Sequence, residues 1–166
     1  MITLPLNITT YALLSSYCLS GGIMEHAAVF RGWLHVHEPR QLKALQSASG
    51  KGALYTYVLP KTALTIFNAY LALTYSSTPN TTTILGHVGG GGENPNLRSG
   101  LWFGLAMLAV SWTSSFLVQV PLQLRIRETG DLVLVRRLYR TTWTRTVAIV
   151  LHFCSVVWIL GGCEFY

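Results

Sequence analysis

Charged residues are scarce in this sequence, and acidic residues are the scarcest. Asp, Glu, Lys and Arg make up 11% of the 166 residues, and only six of them are acidic. Soluble domains carry about 25% charged residues, so this composition argues against a separate water-soluble domain. Because 51% of the residues are hydrophobic, the composition predicts an integral membrane protein.

Cysteine is also scarce, and its placement excludes two further classes of protein. Cys18, Cys154 and Cys163 form no CxxC pair, which argues against a disulfide scaffold and against a thiol–disulfide enzyme. The net charge of +6 comes without a basic motif interleaved with aromatic residues. Nucleic acid is therefore not an expected partner.

Four long apolar stretches make up most of the chain. They cover residues 8–30, 53–75, 100–124 and 143–160. Each is close to the ~20 residues with which an α-helix crosses a ~30 Å hydrocarbon core. The sequence predicts an all-α, polytopic membrane protein in which residues 1–166 form one four-helix transmembrane bundle.

The basic residues are distributed asymmetrically between the connections. Of the twelve Lys and Arg residues, all except Arg98 lie in or beside the first and third connections. The positive-inside rule then places both termini and the 76–99 loop on the non-cytoplasmic side. The arginine-rich segment 136–145 is expected to lie against anionic headgroups of the bilayer.

Polar side chains within the apolar stretches are the candidate functional residues, because charge is costly in hydrocarbon. Helical geometry predicts that several share one level, within roughly 3–13 Å of the cytoplasmic boundary. These are Glu25, His26, Lys61, Gln119 and Arg145. His152 and Asn68 are expected to lie deeper.

Two interpretations of this layer stay open. In the first, Lys61 and Arg145 extend to the headgroups, and Glu25 pairs with one of them to fix the packing. In the second, the layer is a partly wet cavity facing the cytoplasm, where Glu25, His26 and Arg145 are the catalytic residues. Glu25 moves a proton with His26 nearby, and Arg145 orients and stabilises charge. The candidate substrate-binding residues are then Lys61, Asn68, Trp112, Gln119, Trp143 and His152.

A metal site is an alternative use of the histidines. Imidazole suits zinc, iron or copper, and the candidate ligands are His26, His35 and His37. His35 and His37 would point to different faces of a helix, so they could share a metal only in an extended segment. No HxxxH or HExxH motif is present, and no cofactor is favoured.

Aromatic residues at the ends of the stretches are typical of an interfacial belt. Tyr55, Tyr57, Trp102 and Trp143 occupy such positions. Trp112 falls in the middle of a stretch, where it would pack against neighbours or line a pocket for a flat apolar ligand.

The third and fourth stretches carry short motifs, Gln119-Val120-Pro121 and Thr142-Trp143-Thr144-Arg145-Thr146. They resemble small four-span membrane proteins that are loosely similar to the anthrone oxygenase-like family. In such proteins an Asn often stands where this chain has Thr142. The resemblance implies oxidation of flat polyketides without a dedicated cofactor. It also implies a pocket bounded by Gln119, Trp143 and Arg145, with Glu25 or His26 as the base.

Three functions remain as hypotheses. The first is a membrane enzyme that transforms a lipophilic small molecule by acid–base chemistry, either with oxygen, as an oxygenation, or without it. The second is a non-catalytic subunit of a larger membrane complex, or a homo-oligomer. The third is a proton-coupled transporter that uses Glu25.

Overall fold

The computed structural model describes residues 4–77 and 95–161, and no strand occurs in these two ranges. The predicted all-α class is therefore confirmed. Seven α-helices occur in the order α1 (Leu4–Met24), α2 (Arg31–Trp33), α3 (Pro39–Ala53), α4 (Leu59–Ser77), α5 (Pro95–Ser114), α6 (Val120–Thr129) and α7 (Leu132–Gly161). The predicted connection at 76–99 lies mostly outside the described residues, as do Cys163 and the two ends of the chain.

Three π-helical segments join the shorter helices end to end. They are π1 (Glu25–Phe30), π2 (Leu54–Val58) and π3 (Ser115–Gln119). As a result, the described residues form four continuous helical rods. Rod 1 covers residues 4–33, rod 2 covers 39–77, rod 3 covers 95–129, and rod 4 is α7 itself.

Within residues 4–77 and 95–161, two helices are long and apolar enough to cross a membrane, Leu97–Thr129 and Leu132–Gly161. They contain the third and fourth apolar stretches. The first and second stretches lie within rods 1 and 2, whose compositions are more polar. Serine, threonine and tyrosine are frequent in rod 1, and rod 2 carries Lys61 and Asn68.

Buried apolar side chains form two separate cores. The long core combines residues of all four rods: Tyr11, Cys18, Leu64, Leu71, Ala72, Leu97, Leu101, Leu108, Ile149, Val156 and Ile159. The short core lies toward the opposite end of the rods: Phe30, Trp33, Leu42, Leu122, Ile126, Val135 and Leu138. Because both cores draw on all four rods, the rods form one bundle along most of their length.

The turn between α6 and α7 shows how local sequence fixes the course of the chain. Gly130 adopts a left-handed conformation with φ of 70° and ends α6, a conformation that favours glycine. A side chain at this position would also lie 2.9 Å from Pro39. Asp131 then accepts a 2.7 Å hydrogen bond from the Val133 amide and so caps the start of α7.

Candidate functional site

A layer of buried polar side chains separates the two cores. In every rod these residues fall between the contributors to the long core and those to the short core. The buried members are His26, Tyr57, Lys61, Ser111, Ser115, Gln119, Thr142, Arg145 and Thr146. All three π-helical segments begin or end at this level, and such segments are frequent at functional sites.

An ion pair crosses the layer from rod 4 to rod 1. Arg145 Nη2 donates to Glu25 Oε2 at 2.8 Å, and the two side chains are only 4% and 13% exposed. The guanidinium carbon lies 4.6 Å from the centre of the Tyr57 ring. Arg145 therefore points into the bundle, and Glu25 is held by an ion pair instead of standing free as a base.

Lys61 lies in the same layer and is fully buried. Its Nζ atom is 4.1 Å from the Trp112 ring and 5.2 Å from the Tyr57 ring, and it donates to Ser115 Oγ at 3.4 Å. Among residues 4–77 and 95–161, the Arg145–Glu25 pair is the only ion pair. Lys61 is thus a buried cation held by aromatic rings, with no described carboxylate within 4.0 Å.

Of two aromatic residues in the layer, Tyr57 differs from its sequence-based role and Trp112 takes one of the two roles expected of it. Tyr57 was expected at the membrane interface, but it is only 5% exposed and contacts both buried cations. Trp112 serves packing, because its ring covers Lys61 and its Nε1 donates to Thr65 Oγ1 at 3.0 Å. A tyrosine at the end of an apolar stretch carries no sequence signal that it turns inward.

A groove of about 380 Å³ lies between rod 1 and α7. Four residues come from rod 1 and four from α7: Ile23, His26, Ala27, Arg31, Tyr139, Trp143, Thr146 and Val150. The lining is mostly apolar. Trp143 is 53% exposed, so the groove reaches the lateral surface of the bundle. We refer to this feature as the lateral groove.

His26 is one of two buried polar side chains that line the lateral groove, and Thr146 is the other. It stacks on Tyr139 with ring centres 4.7 Å apart and an interplanar angle of 13°, and it meets Trp143 edge-on at 4.4 Å. Its side chain is about 5% exposed, and neither ring nitrogen has a hydrogen-bond partner. Buried polar groups are nearly always bonded, so two buried imidazole nitrogens without a partner among the described residues are unusual.

Asn68 and His152 lie in a different cluster, within the long core. His152 Nδ1 is 3.1 Å from the Gly104 carbonyl, and its Nε2 is 3.2 Å from Ser15 Oγ. The carbonyl can only accept, so Nδ1 carries the hydrogen and Ser15 donates to Nε2. The Asn68 amide, oriented to satisfy both ends, accepts from the Tyr11 hydroxyl at 3.1 Å. These groups bond within the protein and do not line the groove.

The remaining candidates are separated from the groove. Gln119 is 2% exposed, and neither side-chain heteroatom has a partner. Thr142, where the resemblance expects Asn, donates to the Leu138 carbonyl of its own helix at 2.8 Å. His35 and His37 are exposed. Within the described ranges no three His, Cys, Asp or Glu side chains come together as a metal site.

The chain was compared with known proteins at three levels. No family model, no curated protein and no solved structure matches it. The resemblance to the anthrone oxygenase-like family therefore stays a prediction. The lateral groove and the polar layer behind it are the features of the molecule that bear on its function.

Proposed function

We propose that this chain is a four-span integral membrane protein. Apolar side chains cover much of its outer surface and also fill its two cores. Large apolar side chains such as Ile66, Phe116 and Leu117 are more than 60% exposed, whereas Lys61 and His152 are fully buried. In the most apolar segments of the two candidate spanning helices, only 28% and 44% of the residues are buried inside the molecule. Such extensive exposed apolar surface suits lipid better than water.

The orientation proposed from the basic residues can be tested by labelling. Ser47→Cys and Gly161→Cys would place exposed thiols near opposite ends of the rods. We expect a membrane-impermeant maleimide to label Ser47→Cys only from the cytoplasmic side and Gly161→Cys only from the other side. Both substitutions are made in a Cys163→Ser chain, and that chain without either substitution supplies the background labelling of Cys18 and Cys154. Labelling of both variants from the same side would contradict the topology.

We infer further that the lateral groove binds a lipophilic small molecule and that His26 is the acid–base group acting on it. The observation that carries this inference is His26 itself, which is buried among aromatic rings with both nitrogens unpartnered. A neutral imidazole offers one acceptor and one donor nitrogen. It can therefore remove a proton from an acidic C–H or O–H of a bound molecule and return it elsewhere.

The mostly apolar lining of the groove suits the apolar body of a lipophilic molecule that enters from the bilayer. Tyr139 and Trp143 provide ring faces beside His26, and Ile23 and Val150 extend the apolar wall. In this proposal Glu25 and Arg145 are positioning residues, since they neutralise each other in the adjacent layer. Gln119 and Lys61 do not line the groove and take no part in binding.

The test measures proton abstraction directly, using anthrone as the probe because it is flat and carries an acidic CH₂ group. Purified protein is incubated with anthrone in D₂O and neutral detergent without oxygen, and deuterium incorporation at that carbon is followed by NMR. We expect the protein to accelerate exchange, and we expect His26→Gln to lower the catalysed rate about 100-fold. The matched control is His35→Gln, which replaces an exposed histidine just beyond the end of rod 1. This variant should accelerate deuterium exchange as much as the unsubstituted protein does.

Two outcomes would contradict the acid–base proposal. One is exchange by His26→Gln at the unsubstituted rate. The other is an unsubstituted protein that neither binds anthrone nor accelerates its exchange, while native mass spectrometry shows a second protein bound in stoichiometric amount. That result would favour the role of a non-catalytic subunit.

A further inference from the structure

We propose that the ligand of the lateral groove is an acidic amphiphile, whose anionic head contacts Arg31 and whose apolar body follows the groove toward Val150. This inference depends on the proposed function, because it specifies the chemical class of the molecule bound beside His26. It rests on how the lining residues are ordered along the groove.

The groove changes character from one end to the other. Rod 1 and α7 are antiparallel, so Arg31 and Tyr139 lie at the end near the short core, and Ile23 and Val150 lie at the other end. From Tyr139 to Val150 the groove follows α7 for about 16 Å at 1.5 Å per residue. His26 lies between the two ends. A ligand that fills this groove therefore needs one charged end and an apolar remainder.

The charge of Arg31 specifies the sign of the head group. Arg31 is exposed, and within the described part of the chain no carboxylate lies within 4.0 Å of it, since the single ion pair there joins Arg145 to Glu25. A guanidinium group binds carboxylate and phosphate oxygens through parallel hydrogen bonds.

One ligand chemistry has two natural sources here. A free fatty acid supplies a carboxylate, and an acidic phospholipid of the cytoplasmic leaflet supplies a phosphate. Both present an anion on an apolar body, and both would place that anion at Arg31. The experiment therefore includes each source together with a neutral analogue of each.

Native mass spectrometry of the full chain in a neutral maltoside detergent measures this preference. The probes are oleic acid with monoolein as its neutral analogue, and phosphatidylglycerol with a diacylglycerol, which lacks the phosphate, as its neutral analogue. We expect at least one acidic probe to bind about tenfold more tightly than its analogue, the effect of one charge-assisted contact. Preference within the first pair identifies a free acid, and preference within the second identifies a phospholipid head group.

Two variants separate Arg31 from general surface charge. Arg31→Gln should reduce binding of the acidic probe to that of its analogue, whereas Arg136→Gln should leave the preference unchanged. Arg136 is exposed on α7 but does not line the groove. Circular dichroism confirms that both variants are folded. Equal binding of acidic and neutral probes, or equal loss of preference in both variants, overturns the proposal.

Trp143→Ala distinguishes failure of this inference from failure of the proposed function. If acidic and neutral probes bind equally and Trp143→Ala weakens both, the groove binds lipophilic molecules and only the role of Arg31 is wrong. If Trp143→Ala and His26→Gln alter the binding of no probe, the groove is not the binding site. Both proposals are then overturned.

Discussion

Breaking the Arg145–Glu25 pair should destabilise the bundle more than removing the pair as a whole. Glu25→Gln leaves Arg145 and Lys61 as two cations in one layer, both in contact with the Tyr57 ring. Arg145→Gln leaves Glu25 as a mostly buried carboxylate. The double variant leaves neither charge, so its cost should be well below the sum of the two single costs.

The geometry of the pair sets the expected magnitude. At an effective dielectric constant of ~20, charges 2.8 Å apart attract each other by about 6 kcal/mol. Dehydration of both groups opposes much of this attraction. We expect Glu25→Gln to cost about 3 kcal/mol of unfolding free energy, at the lower end of the range for breaking a buried pair, because the Glu25 side chain keeps 13% exposure. We expect about 2 kcal/mol for Arg145→Gln, because Lys61 still offsets the charge of Glu25.

The assay is a double-mutant cycle. Each protein is unfolded by adding SDS to mixed micelles, and helicity is followed by circular dichroism. We expect the double variant to lose about 2–3 kcal/mol, which corresponds to a coupling energy of about 2–3 kcal/mol between Glu25 and Arg145. The variant Arg136→Gln, at an exposed position, controls for the loss of one positive charge.

Additive costs would refute this reasoning. A coupling energy below about 0.5 kcal/mol would mean that the 2.8 Å contact contributes nothing beyond the separate solvation of each group. The pair would then resemble an exposed ion pair, and the polar layer would have to be hydrated. A positive coupling combined with unchanged anthrone exchange in Glu25→Gln would support a purely positioning role for Glu25.

Three further predictions concern the same interior and use the same unfolding assay. Lys61→Met should raise the unfolding free energy by about 1 kcal/mol, because it removes a buried cation with no described carboxylate within 4.0 Å; a loss of stability would argue against this. Gly104→Ala should cost about 2 kcal/mol, since its Cβ would lie 3.1 Å from His152 Nδ1. Gly32→Ala is its control, because that Cβ meets nothing within 4 Å. Gln119→Leu should stabilise by about 1 kcal/mol because it removes two buried atoms without partners, and destabilisation would indicate a partner for Gln119.

The helical class and the level of the polar residues followed from the sequence for a simple reason. Rise per residue converts position along an apolar stretch into depth, and depth alone brings Glu25, Lys61 and Arg145 to one layer. The count of rods was accessible for the same reason. The extent of the rods was not, because residues 30–47 and 120–140 are too polar to read as spans. Their helices are held by the short core.

Partners within the layer could not be read from the sequence. Depth does not report the direction in which a side chain points, and the π-helical segments alter the angle between successive residues. Arg145 could have extended to the headgroups, yet it is about 3% exposed and pairs with Glu25. Asn68 and His152 have the composition of a site, but Ser15 and the Gly104 carbonyl satisfy His152. A polar residue in an apolar stretch can therefore serve only the packing of the protein, as His152 does.

Glu25 and His26 show why neighbouring positions in the sequence need not share a site. Successive residues of a helix point in directions about 100° apart, so one side chain faces Arg145 and the other faces Trp143. Rod 1 thus forms the wall between a closed charged layer and an open lateral groove. In the proposed function, a substrate that reaches His26 from the bilayer would not contact Glu25, which does not line the groove. The ion pair would then influence the reaction only through its field and through the position it gives to rod 1. This separation allows the two features to be varied independently: Glu25→Gln should lower stability while leaving the sign of the probe preference at Arg31 unchanged.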